Sequence, residues 1–237
     1  MILTRALTKS YGSRAVLRGL NLAAEPGAIT LLVGTNGAGK TTTLRLLAGL
    51  SDPDGGTIAI AGADLQRDRT AALAKLSYLP QTPRFHPRLT VRQVASFYAE
   101  LRGRPRQAVD QELGAWGLGE YATMPTAQLS GGLRQRLALT VFSLAAAPVL
   151  LLDEPGLSLD PEWRDRLQDY LVAQATAGRT VVVTTHLLGE WENRADRCLL
   201  IHEGRLGGEL PVANLRGAFN GNASSLPTHA ELLPICA

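Results

Sequence analysis

Cysteine is nearly absent from this sequence: in 237 residues there are only Cys198 and Cys236. Two thiols that far apart exclude a disulfide framework and leave no spacing suited to a metal. No signal-peptide pattern follows Met1, so a reducing cytosolic setting is the expectation. Charge of one sign is equally scarce. The formal net charge is +3, and the densest basic stretch, Arg102-Gly103-Arg104-Pro105-Arg106, reads as a solvated loop, so no nucleic-acid partner is expected. Long apolar runs are missing as well. The uncharged stretch Leu137 to Leu152 covers only about 16 residues and contains Pro148, against roughly 20 for a membrane span. A buried helix running into a buried strand accounts for it better. The sequon Asn222-Ala223-Ser224 carries no meaning in a chain that is not secreted.

What is present is ordinary for a globular protein, with 45% hydrophobic and 19% charged residues and enough length to bury a large core. Leu31-Leu32-Val33, Val149-Leu150-Leu151-Leu152 and Val181-Val182-Val183 are continuous apolar runs, not alternating ones. Strands buried on both faces read this way, which points to a mostly parallel sheet covered by helices. Ile58 to Ile60 and Leu76 to Leu79 are shorter strand candidates, the first after the turn Pro53-Asp54-Gly55-Gly56.

Between about Thr82 and Ala147 the pattern turns helical. Thr90 to Gln93 resembles a capping box, followed at helical spacing by Val91, Val94, Phe97, Tyr98 and Leu101. Further helices are expected from Pro105 to Trp116 and from about Gly131 to Ala146. The chain thus divides into an α/β core (residues 1–81 and 148–210), an inserted helical subdomain (82–147) and a tail (211–237) with little expected structure and no assigned role.

Leu31 to Thr42 reads strand, then Gly34-Thr35-Asn36-Gly37-Ala38-Gly39-Lys40-Thr41, then helix, the pattern of a phosphate loop. Glycines let successive backbone N–H groups turn toward phosphates, and the helix start adds partial positive charge. Lys40 supplies a mobile point charge, and the Thr41 hydroxyl can ligate Mg²⁺ beside Thr42. A chance glycine turn would match in roughly one chain of this length in a hundred. The expected ligand is therefore MgATP. A second feature, Val149 to Pro155, is a buried strand ending in Asp153 and Glu154. Strand ends in such sheets line the ligand crevice, so Asp153 can reach Mg²⁺ and Glu154 can polarise a water, although acids there often only cap the next helix.

Leu129-Ser130-Gly131-Gly132-Leu133-Arg134-Gln135-Arg136 lies about 20 residues before the acidic strand and closely resembles the LSGGQ signature of ABC-type ATPases. With the loop and the acidic pair in order, the resemblance covers residues 1 to 210. It implies a phosphate-loop NTPase (RecA-like) core, an N-terminal β region and the helical insert. It also implies that Tyr11 stacks on adenine, that Gln81 contacts Mg²⁺ and that His186 hydrogen-bonds the γ-phosphate. Ser130 and Gly132 would meet an ATP held by a second ABC ATPase subunit, and Asp160 would lie at that dimer contact. His86, His202 and His229 match nothing in the pattern.

The same resemblance implies a motor subunit on the cytoplasmic face of the membrane, driving transport by separate integral membrane subunits, with Pro83 to Leu89 as the docking surface. A soluble ATPase of this superfamily acting on ribosomes or DNA is the alternative. Such relatives generally carry two cassettes or a long coiled-coil insertion. Two departures stand out. Leu133 replaces the glutamine that usually ends the signature, which leans the subtype toward export. Gly156 and Ser158 invert the commoner polar-then-glycine order before Asp160.

Overall fold

The computed structural model describes residues 1–215. Asn222, His229 and Cys236, and most of the expected tail, lie outside the described residues. The chain begins with a long antiparallel hairpin, β1 (Ile2–Tyr11) and β2 (Arg14–Ala24), and then enters β3 (Ile29–Val33). Helix α1 (Lys40–Leu47) follows the glycine loop. Strands β4 (Gly55–Ile60) and β5 (Ala63–Asp64) return to β1 and complete a four-stranded antiparallel sheet in the order β2-β1-β4-β5.

The central sheet is built from chain segments far apart in sequence. After α2 (Arg69–Ala74) comes β6 (Leu76–Leu79), and after the helical insert come β7 (Val149–Asp153), α6 (Pro161–Thr176) and β8 (Thr180–Thr184). Strands β9 (Arg197–His202) and β10 (Arg205–Leu210) close the order β10-β9-β3-β8-β7-β6. Pairing is parallel from β9 to β6, and only β10 runs antiparallel. Every residue of β3, β7 and β8 is buried, which is why those segments read as unbroken apolar runs. Alternate residues feed two different cores. Leu31, Leu150, Leu152 and Val183 pack with Phe142 of the helical insert and with Leu167 and Leu171 of α6, whereas Leu32, Leu151 and Val182 pack with Leu44, Leu47 and the antiparallel sheet.

The insert holds α3 (Val91–Leu101), α4 (Arg106–Ala115) and α5 (Gly131–Leu144) around a third core. The capping box at Thr90 is formed: Thr90 Oγ1 accepts from the Gln93 amide at 3.2 Å, and Gln93 Oε1 accepts from the Thr90 amide at 2.8 Å. The buried stripe of α3 is Val91, Val94, Ala95 and Ala99, and these small residues let it pack closely. Phe97 and Leu101 share the helix but point outward, 55% and 65% exposed.

Two readings of polar segments need correction. Arg102 is more than a solvated loop residue, because its guanidinium donates to the carbonyls of Ala74 at 3.4 Å and Leu76 at 3.2 Å, tying α3 to the core. The tail does not lose order at residue 211: Val212–Asn214 form a 3-10 turn and Leu215 is buried in the core.

The two sheets meet where the β9–β10 turn touches β2. The Arg18 amide donates to the Gly204 carbonyl at 2.9 Å. Gly204 has φ +77°, and a Cβ there would lie 2.2 Å from the Val16 carbonyl oxygen. This contact fixes the β1–β2 hairpin relative to β3 and its glycine loop. Gly204→Ala should therefore cost roughly 2 kcal/mol or more through strain and overpacking, read as a lowered midpoint in urea unfolding. An unchanged midpoint would mean that the sheets are not held together here.

Candidate nucleotide-binding site

The carboxyl ends of β3 and β7 lie on the same edge of the central sheet, separated by β8. Their loops converge there on an open cleft of about 400 Å³, lined by Tyr11, Arg14, Val16, Asn36, Gly37, Gly39, Lys40, Thr41, Thr42, Gln81, Glu154 and His186. The glycine loop leaves β3 at Gly34, which has φ +150° and whose missing Cβ would sit 2.3 Å from the Ile201 carbonyl oxygen. Gly37 and Gly39 are also left-handed, at φ +80° and +111°. The loop thus curls tightly into the first turn of α1, where backbone N–H groups lack helical partners.

Lys40 is buried, and its ammonium donates to the carbonyls of Gly34 at 2.7 Å and Thr35 at 3.3 Å. Burial pushes its pKa down, with Glu154 and Asp153 partly opposing. Asp153 is 1% exposed at the end of β7. Its Oδ1 accepts from Thr184 Oγ1 at 2.7 Å and from Thr41 Oγ1 at 3.3 Å, while Oδ2 is buried with no partner. Among the described residues no cluster of three His, Cys, Asp or Glu could hold a metal by itself.

Glu154 is 5% exposed and has a left-handed φ of 49°. Its amide bonds the Thr184 carbonyl and hydroxyl, each at 3.1 Å. On the carboxylate, Oε2 accepts from the His186 amide at 3.1 Å. Oε1 lies 3.1 Å from His186 Nε2 but without hydrogen-bond alignment. Burial raises the Glu154 pKa, against the His186 amide and Lys40, with Asp153 adding to the rise. Burial and then Lys40 lower that of His186, Asp153 opposing. The imidazole is therefore neutral at neutral pH, and the contact is not an ion pair.

The expected site residues fall into three groups. Tyr11, Asn36, Gly37, Gly39, Lys40, Thr41, Thr42, Gln81, Glu154 and His186 share the cleft, with Gly34 and Asp153 at its base. Ser130, Gly132 and Asp160 are absent from its lining. Ser130 and Asp160 instead cap helices, accepting from the amides of Leu133 at 3.2 Å and Trp163 at 3.1 Å, while Gly132 packs against the Ser158 carbonyl. Arg14 and Val16 line the cleft without having been singled out by sequence. No linear motif marks either residue, since the Tyr11–Arg14 pairing of the hairpin brings them there.

A glycine loop at a helix start, facing a strand-end acid pair across a parallel sheet, defines a phosphate-loop NTPase. The family model described as ABC transporter matches residues 17–156. The chain is 36% identical over 201 residues to Nod factor export ATP-binding protein I of Paraburkholderia xenovorans, covering 83% of this chain and 66% of that one. It is 32% identical over 230 residues to the daunorubicin/doxorubicin resistance ATP-binding protein DrrA of Streptomyces peucetius, covering 95% and 70%. The chain thus spans about two thirds of the length of these relatives. A solved ATP-binding subunit of an ABC transporter superposes with a TM-score of 0.84 at 26% identity, covering 95% of both chains. The chain belongs to the ABC transporter family, as one of its ATP-binding cassettes.

The raised Glu154 pKa gives a stability prediction for the nucleotide-free protein in chelator. A carboxyl that holds its proton more tightly when folded costs stability as pH rises above its ordinary value of 4.5, and costs nothing well below it. Glu154→Gln should therefore stabilise the protein at pH 7.5 by on the order of 1 kcal/mol, with the gain vanishing toward pH 3.5. A gain that persisted at the acid end would assign the effect to packing, not charge.

Proposed function

We propose that this chain is the ATP-hydrolysing motor subunit of a membrane transporter, of export type. The observation that carries the reading is the buried pair Asp153 and Glu154 held beside Lys40 and Thr41 in one cleft. Two similar proteins are named for Nod factor export and for drug resistance, which supports the export lean already suggested by Leu133. Among the described residues no helix is long and apolar enough to cross a membrane. In the proposed arrangement the membrane-spanning parts are separate subunits, with this chain held peripherally on the cytoplasmic face.

In this reading the N–H groups of the glycine loop and Lys40 cradle the phosphates of ATP. The site fits Mg²⁺: Asp153 has an orphaned buried oxygen, Thr41 Oγ1 is 3.3 Å from its other oxygen, and Gln81 lines the same cleft. Mg²⁺ takes few protein ligands beside phosphate oxygens and water, so Thr41, Asp153 and Gln81 suffice to hold it. When bound it neutralises charge on the phosphates. Glu154, with its raised pKa and unaligned Oε1, is the base that orients the attacking water. His186, neutral and beside it, contacts the γ-phosphate.

Ser130, Gly132 and Asp160 act on the nucleotide of a second cassette, so the complete site needs two subunits. Their absence from their own cleft supports this assignment. Residues 82–147 work as the helical subdomain against the core of residues 1–81 and 148–210. Pro83 to Leu89 is the docking segment for the membrane subunit. Beside it, Pro83, Arg84, Phe85, Tyr98 and Arg102 line a cleft of about 210 Å³, flanked by the exposed Phe97 and Leu101.

Two measurements test the reading. Glu154→Gln should lower ATP turnover by about a hundredfold or more while ATP binding persists, the scale of loss when one catalytic proton acceptor is removed. Unchanged turnover removes Glu154 as the base. Gentle solubilisation of host membranes should copurify a multi-span protein with the tagged chain, and alanine changes across Pro83 to Leu89 should weaken that association. Recovery with ribosomal or DNA-processing proteins alone would overturn the transporter role.

A further inference from the structure

The outer wall of the cleft is supplied by the antiparallel sheet. Tyr11 and Arg14 are directly paired across the two-residue turn Gly12-Ser13, where Gly12 has φ +57°. Directly opposed residues of an antiparallel pair project from the same face, and both side chains line the cleft. The Arg14 guanidinium also reaches the glycine loop, since a Cβ built on Gly37 would lie 3.1 Å from its Nη2. It therefore stands beside Gly37 at the mouth of the cleft that both residues line.

Among the described residues Arg14 and Lys40 line the cleft and Lys9 lies 5.5 Å from the Tyr11 ring centroid, and two of these cations are already engaged. Lys9 is held by Asp54 at 3.0 Å and by the Asp52 carbonyl at 2.7 Å. Lys40 is folded back onto the carbonyls of Gly34 and Thr35. Among the described residues the Arg14 guanidinium has no ion pair and no side-chain hydrogen bond. A guanidinium left unpaired beside a glycine loop that leads into a helix start is suited to an anion with several oxygens, which it can grip with two parallel donors.

We infer that Arg14 is a second phosphate-binding cation of this site, delivered from above by the β1–β2 hairpin while Lys40 works from below. The inference rests on the nucleotide reading of the cleft and adds a specificity device to it. One rigid turn carries an aromatic ring for the base and a guanidinium for the phosphate chain, so the hairpin recognises both ends of a nucleoside di- or triphosphate together. A base alone, or a polyphosphate alone, engages only half of it.

The test uses the full chain, titrated with ADP and with the non-hydrolysable adenylyl imidodiphosphate, in parental, Arg14→Gln, Arg14→Lys and Lys40→Ala forms. Arg14→Gln should weaken both nucleotides about tenfold, the scale of one partly exposed charge-assisted contact. The loss should shrink as KCl is raised, because the missing contact is a screened ion pair. Arg14→Lys should fall between, keeping the charge without the fork. The thermal midpoint of nucleotide-free Arg14→Gln should match the parent, since the side chain is exposed and unpaired. Affinities within twofold of the parent, or a loss that KCl leaves unchanged, would overturn the assignment. Lys40→Ala separates the two levels of the argument. If it abolishes binding while Arg14→Gln is neutral, only this inference fails. If Lys40→Ala binds as the parent does, the nucleotide reading fails and takes this inference with it.

Discussion

Two adjacent carboxylates, Asp153 and Glu154, are confined almost out of solvent at the end of a buried strand, and the organisation of the cleft follows from that confinement. Neither is fully satisfied by the protein: Asp153 Oδ2 and Glu154 Oε1 are buried without hydrogen-bond partners. Lys40 is the cation that opposes the rise in the Glu154 pKa, and it too is partly desolvated. Left-handed backbone at Glu154 adds strain. Buried charge of this kind costs stability in the empty protein. A ligand bringing its own anion and cation would offset that cost, so stability and occupancy are linked. The tolerance for such a site comes from its scaffold. Strand β7 is clamped between β6 and β8 in parallel register, and both of its faces are covered by apolar cores.

A parallel sheet alone would leave the cleft open on one side. The antiparallel sheet closes it, and the Gly204 contact with β2 sets how closely. Hairpin, glycine loop and acidic strand end thus come from two sheets of different construction. They belong to one site because β9 and β10 bridge those sheets. Residues near the C-terminal end of the described chain therefore govern where Tyr11, near its beginning, can sit.

Much of the fold was legible because two-sided burial leaves a plain mark. Leu31 to Val33, Leu150 to Leu152 and Val181 to Val183 could hardly be anything but interior strands. Less legible were elements whose burial is one-sided or mixed. Helix α6 buries Gln168 with Leu167, Leu171 and Ala175, which blurs its apolar stripe. In α3 the outward Phe97 and Leu101 look like core residues until alanines prove to supply the packed face. For the site, the glycine loop and the acid pair are each a contiguous run of residues and so visible as motifs, and residues of both meet in one cleft. Arg14 is not visible in this way. Its position depends on the register of a hairpin, on a turn of two residues and on the closeness of Gly37, none of which a linear pattern encodes. Arg102 was hidden for the same reason, since its partners are backbone carbonyls 26 and 28 residues away.

The segment after the acidic strand is joined to helix α5 by three successive contacts, and their order explains why the departure at Leu133 is tolerable. A Cβ on Gly132 would lie 3.2 Å from the Ser158 carbonyl oxygen, so the helix start and the loop touch through backbone. One residue pair further, buried Gln135 donates to the Pro155 carbonyl at 2.8 Å. Next, the Arg136 guanidinium stacks 4.3 Å over the Trp163 ring, whose other neighbours include Arg166 at 4.8 Å. Gly117 leaves room for this stack, since a Cβ there would lie 2.7 Å from that ring. Residue 133 makes none of these contacts. Its side chain turns instead to the core of the helical insert, against which leucine packs as a partly buried hydrophobe. The link between the signature helix and the acidic loop thus runs through residues 132, 135 and 136. An apolar residue at 133 packs on the insert without interrupting that link.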